Sequence, residues 1–297
     1  MKAKTREAVT GYTFLLPFLT FFIAFFLLPT CFSLWLSFYK YRGYGEPRFV
    51  GWGNFQKLLY YDKFWMAVGN TFFYLFAHWI PAILLSFILA LAIHECAKNV
   101  QRIYKPIIFL PQIVATVASA LVFRVIFATN SGVFSQLLGK QIPFLSDPGL
   151  MKWTVVLLMT WKATGWFFVI FLSGLTIVSK DVIEAATIDG ASYFQRLFHI
   201  VIPLMRKIFM FTFLMETMTT LKVFVEPNML ISGGMAAPPA AKPIVSILVD
   251  NVNNGYFGLA SASGWILFVF IFMLTMVQYY LFNRPEMKEK RKGGVVR

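Results

Sequence analysis

The sequence contains little charge, cysteine or histidine. Of its 297 residues, 13% are charged and 58% are hydrophobic, which is more apolar surface than one water-soluble core can bury. Cys31 and Cys96 are too few for a disulfide framework, and we expect both to be structural. The histidines, His78, His94 and His199, are far apart and lack the H-E-x-x-H spacing of zinc metalloproteases. This composition favours a protein that is solvated by lipid.

Several functional patterns are also missing. The sequence has no G-x-x-x-x-G-K-[ST] loop, so the chain does not bind ATP by that route. It has no low-complexity tract, no linker and no strong internal repeat, which favours one membrane domain. Inverted repeats, which occur in many ion-coupled transporters, are not found either.

Long hydrophobic runs dominate what the sequence does contain. A helix needs roughly 20 residues to cross about 30 Å of hydrocarbon. These runs are continuous, whereas strands of a membrane barrel alternate in polarity over about ten residues, so helices are predicted. We therefore predict an all-α integral membrane protein with six transmembrane helices, at about 11–37, 68–93, 106–128, 153–178, 207–231 and 259–283. The first run is too long for a signal-peptide core and is expected to remain as an anchor.

The distribution of lysine and arginine predicts the orientation. One set of loops, together with both chain ends, holds 16 of these residues, and the opposite loops hold 8. By the positive-inside rule, both termini are expected in the cytoplasm. The first outer loop holds five of the eight and is the exception to the pattern. The net charge of +14 thus reflects membrane topology, and no nucleic-acid partner is expected.

Five ionisable residues fall inside predicted spans, where a charge at the bilayer centre costs about 2.5 to 3.5 kcal/mol. They are Arg124, Lys162, Glu216, Lys222 and Glu226. Arg124 lies far enough along the third span to reach the outer interface, where we expect it to act as an anchor. Lys162 and Glu216 both lie near the midplane, so they are expected to line or close a polar cavity.

Other side chains at a similar depth are candidates for the same cavity. Lys222 and Glu226 are one turn apart on the predicted fifth helix, and they either pair with each other or contact the substrate. Thr219 lies on the same helix. His78 is expected to form a hydrogen bond with a neighbouring helix. Three aromatic residues of the fourth span either stack on a sugar or pack against lipid and protein: Trp161, Trp166 and Phe167.

A polar stretch at 184–205, EAATIDGASYFQRLFHIVIPLM, separates two apolar runs. Ser179 is a predicted N-cap of a short helix that runs to about Asp189, and its small apolar side suits a groove on a partner. Gly190 is expected to break this helix. Ser192 with Gln195 predicts a capping box that starts a second helix, which Pro203 ends or bends. The stretch is either a docking element or an interfacial connection between two spans.

This stretch closely resembles the EAA loop of binding-protein-dependent ABC importer permeases. The matching residues are Glu184, Ala185, Ala186, Asp189, Gly190, Ala191, Ile200 and Pro203. Ile202 replaces a usual leucine, and Met235 replaces a frequent proline. Segments that resemble the carbohydrate branch, which contains the maltose permease subunits, are NTFFY (70–74), LISGG (230–234) and GLASASGWILF (258–268).

The resemblance covers about residues 65–285 and implies the permease domain there. Residues 1–64 would form a cytoplasmic tail, the first helix and an outer loop, and residues 286–297 a basic cytoplasmic tail. The implied fold is that of a type I importer in a bacterial cell membrane.

The resemblance also implies the partners. The chain would bind no cofactor and would not be an enzyme, because a separate cytoplasmic ATPase dimer would hold ATP and Mg²⁺. A second homologous permease would complete a heterodimer, and an extracytoplasmic solute-binding protein would deliver the solute. The ATPase would contact Glu184, Ala185, Ala186, Asp189, Gly190, Ala191 and Phe194. A sugar or oligosaccharide is the implied solute, and Lys162 and Lys222 leave an acidic sugar or a sugar phosphate open.

Two other classes of protein compete with this one. A secondary active transporter would use Lys162 and Glu216 as residues that couple transport to an ion gradient. An intramembrane enzyme would need clustered histidine, aspartate or cysteine, which the sequence lacks.

Overall fold

The computed structural model describes residues 2–234 and 237–293. Within these residues the secondary structure is helical apart from one short antiparallel hairpin, in which Tyr39 lies opposite Phe49. The elements are α1 (Lys2–Phe22), a π-helical turn (Ile23–Leu27), α2 (Leu28–Ser37), β1 (Tyr39–Lys40), β2 (Arg48–Phe49), α3 (Gly53–Leu59), α4 (Asp62–His94), α5 (Lys98–Ile113), α6 (Thr116–Ile126), α7 (Val133–Leu138), α8 (Pro148–Leu175), α9 (Lys180–Ile188), α10 (Tyr193–Arg196), a second π-helical turn (Leu197–Val201), α11 (Ile202–Leu204), α12 (Arg206–Thr220), α13 (Val225–Ser232), α14 (Ile244–Asn253) and α15 (Phe257–Gly293).

The predicted fold class is confirmed, although two of the six spans are broken. Four helices are long and apolar enough to cross a membrane without interruption: Tyr12–Ser37, Asp62–His94, Pro148–Leu175 and Phe257–Asn283. The third predicted span consists of α5 and α6, which meet at a bend of 92°. At the fifth span, α12 follows the segment Tyr193–Leu204 at a bend of 66°. Counting each bent pair as one span gives six.

The chain folds into two compact units, one of residues up to 64 with 247–266 and one of residues 65–246 with the rest of α15. In the first unit, the buried Asn54 amide donates hydrogen bonds to the carbonyls of Ser37 (2.8 Å) and Tyr39 (2.9 Å). These bonds connect α3 to the end of α2 and the hairpin. Phe14 on α1 is 82% exposed, as expected for a helix whose solvent is lipid.

One hydrophobic core cluster of the second unit is built from α4, α8 and α12. The rings of Phe87, Phe171 and Phe209 contact one another with centroids 4.9 to 5.4 Å apart. Met205, at the start of α12, is 1% exposed and joins the same cluster. The helix that follows residues 179–205 is therefore packed directly against the two long central helices.

Proline accounts for several departures from regular helix. Each π-helical turn ends two residues before a proline, Pro29 in one case and Pro203 in the other. A proline ring would clash with the carbonyl four residues earlier, and a wider turn relieves that clash. Pro227 has the same effect on the fifth span, because Val223, four residues earlier, lies in the non-helical link 221–224.

The non-helical link 221–224 separates two residues that were predicted to share one helix. Lys222 lies in the link, whereas Glu226 lies in the first turn of α13. The prediction that they share one helix is wrong, because the helix does not continue through the residues before Pro227.

Gly165 allows a close helix contact that a substitution can test. A Cβ there would lie 2.6 Å from the Ile108 carbonyl oxygen of α5, whereas a Cβ at Gly69 of α4 would meet nothing within 4 Å. Both Gly→Ala changes gain the same helix propensity, about 0.8–1 kcal/mol. We expect Gly165→Ala to lower stability by about 1–3 kcal/mol relative to Gly69→Ala through overpacking. Thermal unfolding of the purified variants in detergent measures this, and equal melting temperatures would contradict the close contact.

Candidate functional site

The NTFFY segment of α4 holds the loop that precedes α14. Three of its side chains, Asn70, Thr71 and Tyr74, are buried. Their hydrogen bonds run from Asn70 Nδ2 to Pro239 O (2.9 Å) and Lys242 O (3.0 Å), from Tyr74 Oη to Ala241 O (2.7 Å), and from Ile244 N to Thr71 Oγ1 (2.9 Å). The side chains of this segment thus form hydrogen bonds with backbone groups of a non-helical stretch. Those backbone groups would otherwise lack hydrogen-bond partners.

A polar cavity of about 460 Å³ lies among α4, α5, α6, α8, α12 and α13. We call it the central cavity. Its lining includes five residues that the sequence predicted for it: Lys162, Glu216, Thr219, Lys222 and Glu226. The other lining residues are His78, Gln112, Thr116, Met159, Ala163, Thr220, Val223, Phe224 and Val225.

Glu216 is 2% exposed and belongs to a buried polar network of three helices. Its Oε1 pairs with His78 Nε2 and accepts a hydrogen bond from Thr220 Oγ1 (2.8 Å). The other ring nitrogen of His78, Nδ1, lies 3.1 Å from Thr160 Oγ1 on α8. The prediction that His78 bonds to a neighbouring helix is confirmed. The network connects α4, α8 and α12 at one depth.

Lys162 has different partners from Glu216. Its ammonium donates hydrogen bonds to the carbonyls of Val114 (2.6 Å) and Pro111 (3.3 Å), at the bend between α5 and α6. These carbonyls lose their intrahelical partners because α5 ends at Ile113. Glu226 is the carboxylate that interacts electrostatically with Lys162. Lys162 and Glu216 therefore line one cavity without pairing with each other.

The other residues predicted within the spans lie elsewhere. Phe167 is 2% exposed within the phenylalanine core, and Trp161 packs against Phe123 with ring centroids 5.4 Å apart. Trp166 is 46% exposed. The structure brings none of the three predicted aromatic residues to the central cavity, whose lining aromatic is Phe224.

Arg124, expected as an interfacial anchor, lies in the last turn of α6. Its guanidinium group contacts the position that a Cβ of Gly233 would occupy, and Gly233 is the C-cap of α13 with a φ of +63°. A cation is favourable at the negative end of a helix dipole. Met235, two residues further on, lies outside the described residues.

The local predictions for residues 179–205, which we call the EAA segment, are confirmed. The Ser179 side chain caps α9 by accepting a hydrogen bond from the Asp181 N–H (3.3 Å). Gly190 ends the turn after α9 with a φ of +81°, a conformation that favours glycine. Ser192 and Gln195 form both hydrogen bonds of a capping box at the start of α10.

The EAA segment is held together internally while its apolar tips are exposed. Arg196 of α10 donates a hydrogen bond to Thr187 of α9, and α9 is connected to the fifth span through α10, α11 and Met205. Ile188 is 87% exposed and Phe194 is 68% exposed. These two side chains place exposed apolar surface on a polar, well-capped element, where a partner can contact it.

A smaller cavity of about 270 Å³ lies where the EAA segment meets the ends of α4 and α8. Its walls are mostly aliphatic, and Glu95, Lys180, Glu184 and Arg196 contribute polar groups. The Glu95 carboxylate, just beyond α4, lies beside the Tyr193 hydroxyl of α10. The segment is thus seated on the long central helices.

A polar cavity among bent membrane helices, together with an exposed, capped helix pair, fits the class of helical transport permeases. Residues 2–286 match the family described as the binding-protein-dependent transport system inner membrane component, and the chain belongs to that family. It is therefore a multi-pass membrane subunit of an ABC-type importer, as the sequence resemblance predicted.

Individual relatives agree with this assignment. The chain is 31% identical to the probable ABC transporter permease protein YesP of Bacillus subtilis (strain 168), across 92% of this chain and 90% of that protein. It is 30% identical to the trehalose/maltose transport system permease protein MalF of Thermococcus litoralis, across 93% and 94%. A crystal structure of a bacterial alginate ABC transporter, in complex with an alginate pentasaccharide-bound periplasmic protein, matches with a TM-score of 0.82 at 19% identity, covering 96% of this chain and 97% of that chain.

Gln112, Thr116 and Phe224 are among the lining residues that sequence reasoning missed. Each lies beside a break in a helix, and the available signals were Pro111 before the first two and Pro227 after the third. Both prolines mark places where side chains near a break turn towards a polar space.

The His78–Glu216 pair leads to a testable stability effect. Removing His78 leaves the buried Glu216 carboxyl group without one of its two partners, which costs about 1–3 kcal/mol for a neutral group and more for a charged one. We expect His78→Leu to lower the melting temperature sharply, and the double variant His78→Leu/Glu216→Leu to be more stable than His78→Leu alone.

Thermal unfolding of the purified permease measures this effect. Thr219→Val is the control, because among residues 2–234 and 237–293 the Thr219 hydroxyl bonds only to the Met215 carbonyl of its own helix (2.9 Å). Strictly additive losses in the double variant would show that the two side chains do not interact.

Proposed function

We propose that this chain is the membrane-spanning subunit of an ATP-driven importer for a sugar or oligosaccharide, and that the EAA segment docks onto a cytoplasmic ATPase. The observation that carries the proposal is the exposed tip of α9, where Ile188 is 87% exposed on a helix capped at both ends. The connection between two membrane spans does not require such a tip. A groove on a partner accepts a short helix of this kind.

The solute class follows from the relatives and the cavity. Relatives named for trehalose/maltose and alginate transport support a saccharide as the solute. The hydroxyls and amide that line the central cavity suit the many hydroxyl groups of a sugar. An extracytoplasmic binding protein delivers the solute, as the family description and the alginate complex support.

In the proposed mechanism, a conformational change of the ATPase is transmitted to the central cavity through helices that are packed against one another. The Arg196–Thr187 bond makes α9 and α10 move together, and α12 follows beyond Met205. Glu216 of α12 is paired with His78 of α4, so a shift of α12 changes the wall of the central cavity. The ATPase drives this shift only if its ATP-bound and resting states bind the EAA segment differently.

The remaining parts of the assembly complete this proposal. Two ATPase subunits bind ATP and Mg²⁺, and a second homologous permease supplies the other half of the transport path. Both termini and the EAA segment lie in the cytoplasm, as the lysine and arginine distribution indicates. Ion-coupled transport through Lys162 and Glu216 is less favoured, because each has structural partners within the chain.

Charge reversal at Glu184 tests the docking role. Glu184 is exposed on α9, so Glu184→Arg is expected to leave folding intact while it abolishes solute uptake and lowers the amount of ATPase that co-purifies. Glu46→Arg, the same charge change at an exposed acid between β1 and β2, is the control and should leave co-purification unchanged. Tagged permease purified from native membranes and uptake by whole cells give the two readouts. Normal ATPase co-purification and uptake with Glu184→Arg would refute docking.

A further inference from the structure

The charges of the central cavity are unequally available to a solute. Two carboxylates, Glu216 and Glu226, and two lysines, Lys162 and Lys222, line it together with His78. A charge near the bilayer midplane is costly unless it is paired, so the pairing of each decides what the cavity presents.

Both carboxylates already interact with other groups of this chain. Glu216 is 2% exposed, and one of its oxygens is contacted by His78 and Thr220. Glu226 interacts with its own backbone N–H in the first turn of α13 and electrostatically with Lys162. Neither acid is therefore a free anion that faces the solute.

Lys162 is occupied as well. Two carbonyls at the α5–α6 bend accept hydrogen bonds from its ammonium, and the Glu226 carboxyl group interacts with it electrostatically. Its role is to donate hydrogen bonds to backbone carbonyls that the bend leaves without helical partners, and these bonds fix the side chain in place.

Lys222 is different, because its side chain is exposed and has no ionic partner among residues 2–234 and 237–293. It lies in the link 221–224, where its backbone N–H donates to the Thr219 carbonyl (3.2 Å). The negative, C-terminal end of the α12 dipole stabilises the Lys222 ammonium even when no solute is bound. The long, flexible side chain of lysine suits it to reach an anionic group on a mobile ligand.

We propose that the central cavity recognises saccharides that carry an anionic group, a carboxylate or a phosphate ester, and that Lys222 binds that group. Gln112 and Thr116 line the same cavity and supply neutral polar groups for sugar hydroxyls. An unpaired ammonium gains more from an anionic oxygen than from a neutral hydroxyl. This inference rests on the proposed function and deepens it by specifying the class of saccharide.

The test measures uptake by cells that carry the complete importer with its binding protein. Matched pairs of solutes serve as probes: an oligogalacturonide against its carboxyl-reduced form, and trehalose 6-phosphate against trehalose. We expect uptake of the acidic member of at least one pair. Lys222→Met should lower that uptake about tenfold to a hundredfold, the range for one charge-assisted hydrogen bond. Lys222→Arg, which keeps the charge, should retain most of the uptake.

The control is Lys140→Met, which removes an exposed lysine outside the cavity and should leave uptake unchanged. Membrane levels of all variants are compared by immunoblot. Uptake of neutral saccharides only, or an equal loss of neutral and acidic uptake in Lys222→Met, would overturn the inference and leave the proposed function intact. Failure to import any of the four solutes would also overturn the inference, and the Glu184→Arg experiment tests the proposed function separately.

Discussion

Backbone N–H and C=O groups in hydrocarbon have no water to bond with, so each break in a membrane helix needs a partner from elsewhere in the chain. This constraint explains where the polar side chains lie. Lys162 satisfies two carbonyls at the 92° bend of α5 and α6, and Asn70, Thr71 and Tyr74 satisfy the loop before α14. The polar residues that support these breaks are also the ones that make a cavity possible.

The same arrangement relates the cavity to the surface where the ATPase is proposed to act. The broken helices α12 and α13 line the cavity, and α12 is joined through Met205 to the EAA segment. Its buried Glu216 pairs with a residue of α4, so a displacement of α12 cannot leave the cavity wall unchanged. The polar groups that stabilise the structure, such as Lys162 and Glu216, are thus different from Lys222, which is proposed to bind the solute.

Local features were predictable from sequence, and long-range partners were not. Caps at Ser179 and Ser192 and the glycine break at Gly190 depend on a few neighbouring residues, so their patterns identified them. The Glu216–His78 pair joins residues far apart in sequence, which no periodicity encodes. The non-helical link 221–224 was missed because its cause, Pro227, was read as part of a continuous apolar run.

The central claim is that the EAA segment contacts an ATPase, and site-specific photo-crosslinking tests it most directly. A photoreactive benzophenone amino acid replaces Ile188 at the tip of α9, and Tyr60, which is 87% exposed in the predicted outer loop, provides the control position. After irradiation of native membranes, the account predicts a covalent adduct between the permease and the ATPase from position 188 and none from position 60. Adducts with lipid alone from position 188, in membranes that contain the assembled importer, would contradict it.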